Sequence, residues 1–144
     1  NKEQINTEVS TIESQVSNRY VFENNKFTLK PDIYISYNDE SNVVIDTKYK
    51  KLDSSKTNNW VSSQDIYQMF IYWMRYFWEY NTNKRKNIIL LYPNYDREDY
   101  DITLTAEENI NIFIRTINMN LDLSSLKGKS NLNNQLKNII LSLK

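Results

Sequence analysis

Asp32, Asp46 and Lys48 are the residues of this chain whose types and spacing suit them to chemistry. Asp32 opens a stretch in which Ile33 and Ile35 alternate with Tyr34 and Ser36, and Asp46 ends the apolar run Val43-Val44-Ile45. Both stretches read as β-strands. The link Asn38-Asp39-Glu40-Ser41-Asn42 is all turn-formers and charge, which predicts an antiparallel hairpin. Side chains alternate across a strand, so Asp46 and Lys48 share one face while Thr47 points to the other. A hairpin that sets Asp32 near Asp46 gathers two carboxylates and an ammonium at the sheet edge. Metal-dependent phosphodiester hydrolysis uses such a group. Carboxylate oxygens suit Mg²⁺, the ion activates a water and neutralises phosphate charge, and a lysine orients that water or stabilises developing charge. The same residues also fit a plainer role, as aspartates that begin and end strands for turn-making reasons and a solvated lysine.

The next candidates lie on a helix. Ser62 or Ser63 offers an N-cap, Asp65 sits in the first turn, and the spacing predicts a helix to about Tyr80. DIYQMFIYWMRYFWEY is apolar nearly all round, as in a helix covered on both sides. Gln68 and Tyr72 stand one above the other on one face, with Asp65 a turn earlier. A buried glutamine costs free energy unless both ends of its amide are bonded. Gln68 is therefore expected to bond either groups of the hairpin site or a DNA backbone, or else only neighbouring backbone, with Tyr72 one more core aromatic.

Composition narrows the chemistry. The 144 residues suit one domain, 40% hydrophobic and 13% aromatic, enough for a core. Formal net charge is zero, so any nucleic-acid contact must come from local clustering. With no cysteine there are no disulfides, zinc-thiolate sites or thiol catalysis. With no histidine there is no Ser-His-Asp triad, histidine base or histidine-ligated zinc. Carboxylate, lysine, tyrosine and metal remain. No apolar run is long enough for a membrane span and no signal peptide opens the chain, so a cytoplasmic protein without a membrane partner is expected. The opening Asn1 predicts a fragment of a longer protein.

Around these residues, a helical start to about residue 8 and a strand to about residue 22 are expected. Pro31 suits a strand edge before Asp32. Residues 53–59 form a polar connector or a loop over the site. The Lys84-Arg85-Lys86 triplet fits a solvated turn or a phosphate contact. NIILLY reads as a buried strand closed by Pro93. Asp101–Thr105 and about 109–121 read as further strands, residues 123–130 as a loop with the chain's single glycine, and 132–143 as an amphipathic helix. The glycine patterns of dinucleotide and phosphate-binding loops are missing.

Pro31-Asp32 followed by Asp46-Thr47-Lys48 at the end of a hydrophobic strand resembles the signature of the PD-(D/E)xK nuclease superfamily. Gln68 and Tyr72 look like the Q-x-x-x-Y motif of its RecB-like branch. More narrowly, LKPDIYI, VVIDTKYKK and DIYQMFIY resemble the nuclease region of McrC, the endonuclease subunit of McrBC-type modification-dependent restriction systems. The resemblance implies a single α/β domain over residues 1–144, with a restriction-endonuclease-like core, its central mixed sheet flanked by helices. It implies Mg²⁺-dependent hydrolysis of double-stranded DNA, with Mn²⁺ substituting, and a GTP-driven AAA+ motor partner. Dimerisation for double-strand cleavage is left open. On the same basis Asp32, Asp46 and the Thr47 carbonyl bind metal, Lys48 positions water or stabilises the phosphorane, and Gln68 and Tyr72 support the site or touch DNA. Two features depart from the pattern. The further acidic residue of many members has only Glu3, Glu8 or Glu13 as candidates here, and the motor-docking region is missing. A RecB-like exonuclease, a junction resolvase and an inactive DNA-binding or assembly module are the alternatives. A free-end requirement, tested on circular against linear DNA, separates the exonuclease, and failure to bind Mn²⁺ marks the third.

Overall fold

The two most apolar stretches lie side by side at the centre of the sheet. Strand β5 (Asn42–Thr47) pairs in parallel with β6 (Lys86–Asn94), from Asn42 opposite Lys86 to Thr47 opposite Leu91. Runs with no polar alternation have to be covered on both faces, and here they are. The structure, a computed structural model, describes residues 9–17, 19–53, 55, 60–77, 86–95, 100–106 and 111–143. β6 pairs in parallel with β8 (Asn111–Asn118). Antiparallel strands complete both sides: β4 (Ile33–Tyr37) on β5, β1 (Val9–Ser14) on β4, and β7 (Asp101–Thr105) on β8. The six-stranded order is β1-β4-β5-β6-β8-β7, with a separate two-stranded sheet of β2 (Arg19–Tyr20) and β3 (Thr28–Leu29). Parallel neighbours need a crossover, and α1 (Ser63–Phe77) supplies it between β5 and β6. Helix α2 (Leu126–Leu141) follows β8. Over the described residues the fold is mixed α/β, a central mixed sheet with two helices.

Strand parity divides the core. Val44, Ile88, Leu90 and Tyr92 face α1 and meet Met69, Tyr72, Tyr76 and Phe77. Val43, Ile45, Ile89 and Leu91 face the other way and meet Leu143, with Leu132, Leu136, Ile139 and Ile140 of α2 packed against them. Each such side chain, fully buried, contributes about 1.5–3 kcal/mol. The start of α1 is capped by the Ser62 hydroxyl, which accepts from the Asp65 N–H at 3.2 Å. At its other end Lys86 donates to the Phe77 carbonyl at 2.9 Å, so this lysine of the basic triplet serves the fold. Among the described residues no helix is long and apolar enough to cross a membrane.

Several expectations need correction. Helix α1 is covered on one side only, with Tyr67 and Met74 exposed on its open face. The strand expected to reach residue 22 breaks after Ser14. Gln15 turns into the left-handed region (φ 49°), and its N–H bonds the Asp32 carbonyl at 2.9 Å. The expected helical start to residue 8 lies outside the described residues, as do most of the 53–59 loop and Lys84 and Arg85. Pro93 sits inside β6, opposite Ile117, and does not close the strand. Residues 126–130, expected as loop, are the first turns of α2, whose N-cap Ser125 accepts from the Gly128 N–H at 3.0 Å.

Candidate active site

The hairpin brings the acids together. In the β4–β5 register Ile33 lies opposite Ile45, which sets Asp32 beside Asp46 where the strands end. Asp32 is anchored through Oδ2, which accepts from the Thr47 N–H at 2.7 Å and the Thr47 Oγ1 hydroxyl at 2.6 Å. Asp46 is buried on the α1 side, and Lys48 pairs with its Oδ2 at 2.6 Å. The parallel ladder runs one residue past β5, because the Lys48 N–H donates to the Leu91 carbonyl at 2.9 Å. These groups stand at the carboxyl ends of β5 and β6, where open α/β sheets place their ligands.

Helix α1 closes a ring over the acids. Lys48 Nζ donates to Gln68 Oε1 at 2.7 Å, and Gln68 Nε2 donates to the Tyr72 hydroxyl at 3.0 Å. That hydroxyl donates to Asp46 Oδ1 at 3.1 Å, completing the circuit Asp46–Lys48–Gln68–Tyr72. An ammonium only donates and a carboxylate only accepts, so both arms of the ring run from Lys48 to Asp46, one directly and one through Gln68 and Tyr72. Burial above all, and then the Asp46 charge, push the Tyr72 phenol well above its ordinary value, so it keeps its proton and remains a donor. Burial also pushes the Asp46 carboxyl above the usual carboxylate range. Lys48 pulls it down and the charge on Asp32 adds to the rise.

A third carboxylate stands beside the ring. Asp65, from the first turn of α1, is buried; Tyr92 donates to its Oδ2 at 2.7 Å and Lys50 pairs with the same oxygen at 2.9 Å. Its Oδ1 lies 3.6 Å from Lys48 Nζ. Burial works to raise the Asp65 carboxyl, but the bonds from Tyr92, Lys50 and Ser62 and the Lys48 charge outweigh it and hold the group below the usual range. Asp32, Asp46, Thr47, Lys48, Lys50, Asp65 and Gln68 line an open cleft of about 380 Å³.

Whether a divalent cation fits can be judged from the groups present. Among the described residues no three acidic side chains form a ready-made metal cluster. The set on offer is Asp32, Asp46 and the Thr47 backbone, all hard oxygen donors of the kind Mg²⁺ takes. The Lys48 ammonium already sits among oxygens of Asp46, Gln68 and Asp65, so the cleft accommodates positive charge. With all ionised, three carboxylates against two ammoniums leave one negative charge. A divalent ion reverses that to one positive charge, the match for a single phosphodiester. The residues fit.

The family model of the McrBC 5-methylcytosine restriction system component matches residues 3–93, more than half of the chain. The chain belongs to this family. The span matched by the McrBC family contains every residue of the cleft. An assembly of Thermococcus gammatolerans McrB AAA+ hexamers with bound McrC, refined as a half-complex of a tetradecamer, contains a chain of similar fold, with TM-score 0.58 and 18% identity. The match covers 89% of this McrBC-family chain and 28% of that one, so this chain spans under a third of its length. No curated protein matches.

Of the residues expected at the site, Asp32, Asp46, Thr47, Lys48 and Gln68 line this one cleft, and Tyr72 is buried behind it, joined to Asp46 and Gln68 by hydrogen bonds. Of the proposed sources of a further acid, Glu3 and Glu8 lie outside the described residues. Glu13 lines a separate cleft of about 500 Å³ with Arg19, Tyr34 and Tyr76, which holds none of the expected site residues. The third carboxylate of the site is Asp65. The sequence placed Asp65 a turn before Gln68 without a part in the site, and Lys50 and Tyr92 were left out altogether. The signal for Asp65 was that place on the same face.

Proposed function

We propose that this chain is a metal-dependent nuclease region of an McrBC-type restriction system, built on a PD-(D/E)xK, restriction-endonuclease-like core. The observation that carries the reading is the closed Asp46–Lys48–Gln68–Tyr72 ring set against Asp32 at the strand ends. Asp32, Asp46 and the Thr47 carbonyl hold Mg²⁺, or Mn²⁺ in its place. The bound ion supplies Lewis acidity toward a water and a phosphate oxygen. Thr47 fixes the Asp32 carboxylate through two hydrogen bonds, and Tyr72 fixes that of Asp46. Lys48, aimed by Gln68, turns its ammonium toward the scissile phosphate, where it orients the water or stabilises the charge that builds up. Lys50, half exposed at the mouth, supplies a second positive charge for the DNA backbone. The substrate is double-stranded DNA, and the partner is a GTP-driven McrB-like AAA+ motor. The likeness to the chain from the McrB–McrC assembly supports the pairing.

The test is cleavage of methylated circular and linear DNA in Mg²⁺, with and without the motor and GTP. Asp46→Asn is expected to lower the rate by ~10³-fold, on the order of 4 kcal/mol in the barrier. A protein that cuts no DNA under any of these conditions ends the nuclease reading, and an Asp46→Asn protein that folds and cuts as fast as the unaltered one ends the assignment of the reaction to this cleft.

A further inference from the structure

We propose that Asp65 is the positioning residue that receives the Lys48 ammonium when Asp46 turns to a metal ion. The inference rests on the metal-dependent reading above and assigns a role to a carboxylate that reading does not use. Both oxygens of Asp46 are occupied within the protein, Oδ2 by Lys48 at 2.6 Å and Oδ1 by Tyr72 at 3.1 Å. A divalent cation and an ammonium cannot share Oδ2 at contact distance, since like charges repel strongly in a low-dielectric cleft. An ion that takes Oδ2 therefore moves Lys48 aside.

The geometry leaves it a short path. Its backbone is tied to Leu91 and its ammonium to Gln68 Oε1 at 2.7 Å, so Gln68 acts as a pivot. From there Asp65 Oδ1 is 3.6 Å away, already within ion-pair reach. A movement of about 1 Å brings that contact to charge-assisted hydrogen-bond length. Asp65 is prepared for the role. It is 5% exposed, and Tyr92 and Lys50 both hold its Oδ2, which turns Oδ1 toward Lys48. Asp32 is not available to the ammonium, because the reading above gives its carboxylate to the ion. Lys48 thus exchanges one carboxylate for another and stays in the cleft, charged and aimed.

Calorimetric titration of Mn²⁺ into the unaltered protein, Asp65→Asn, Lys48→Met and the double variant tests this. Asp65→Asn is expected to weaken Mn²⁺ binding about tenfold, the scale of an outer-shell partner, and to have no effect in the Lys48→Met background. Unchanged affinity in Asp65→Asn overturns the proposal. So does a loss that persists once Lys48 has been replaced, because Asp65 then touches the metal itself. A structure of the unaltered protein with Mn²⁺ bound decides the matter without any variant. Lys48 on Asp65 supports the proposal, and Lys48 still on Asp46 overturns it alone. An unaltered protein that takes up no Mn²⁺ overturns the metal reading and this inference together.

Discussion

Replacing Tyr92 by Phe removes one oxygen atom from the interior, and its cost follows from the contact it makes. The hydroxyl donates to Asp65 Oδ2 at 2.7 Å, with Tyr92 1% and Asp65 5% exposed. A hydrogen bond to a charged group is worth about 1.5–3 kcal/mol, and the ring itself keeps its packing in Phe. The Lys50 ion pair on the same oxygen compensates little, since the lysine side chain is 55% exposed and its charge is well screened. The expected loss at neutral pH is therefore about 2 kcal/mol. In urea, with a slope of about 1–3 kcal/mol per molar, the midpoint falls by roughly 1 M and the slope stays constant. Tyr67→Phe, on the exposed face of α1, serves as the control and leaves the midpoint unmoved. The effect also depends on pH. Asp65 is held below the usual carboxylate range, so its stabilising contribution is present above the unfolded value and is lost as pH falls through the folded one. The gap between the unaltered protein and Tyr92→Phe is thus widest above about pH 4 and narrows on acidification. A loss below about 0.5 kcal/mol, or one of equal size at every pH, refutes the argument.

Two further outcomes follow from the same geometry. Tyr72→Phe removes a donor that lowers the Asp46 carboxyl, which burial already holds high. The acid limb of the cleavage pH profile should shift to higher pH, and a limb that stays in place contradicts the assignment. Gly128→Ala, a change that in most helices gains about 1 kcal/mol, should here cost about 1–3 kcal/mol in thermal or urea melts. A Cβ at that position lies 1.9 Å from the Asp122 carbonyl oxygen, so backbone has to give way; a gain in stability on this substitution contradicts the close approach.

How much was legible in the sequence depended on whether a signal was local. The hairpin announced itself because alternation, a turn and the following apolar run lie within sixteen residues, Asp32–Thr47, so register followed from the turn. Gln68 and Tyr72 were readable as a pair because helical spacing stacks them. Tyr92 was hidden for the opposite reason. In a strand buried on both faces no polar alternation marks which side a residue takes, and its partner Asp65 is 27 residues away. The start of α2 was misread because Gly128 is taken for a helix breaker, when its lack of a side chain is what lets the helix begin against Asp122. The pattern of period two runs through Gln15, so nothing local reveals the left-handed bend that ends β1.

The tie between the Lys48 amide and the Leu91 carbonyl has a thermal consequence. Leu91 belongs to a strand whose apolar side chains are almost wholly shielded from solvent. The tripeptide Asp46-Thr47-Lys48 therefore shares the fate of the most cooperative part of the molecule, where amide deuteration requires global opening. On heating, the Asp46–Lys48 pair is expected to persist until β5 and β6 part.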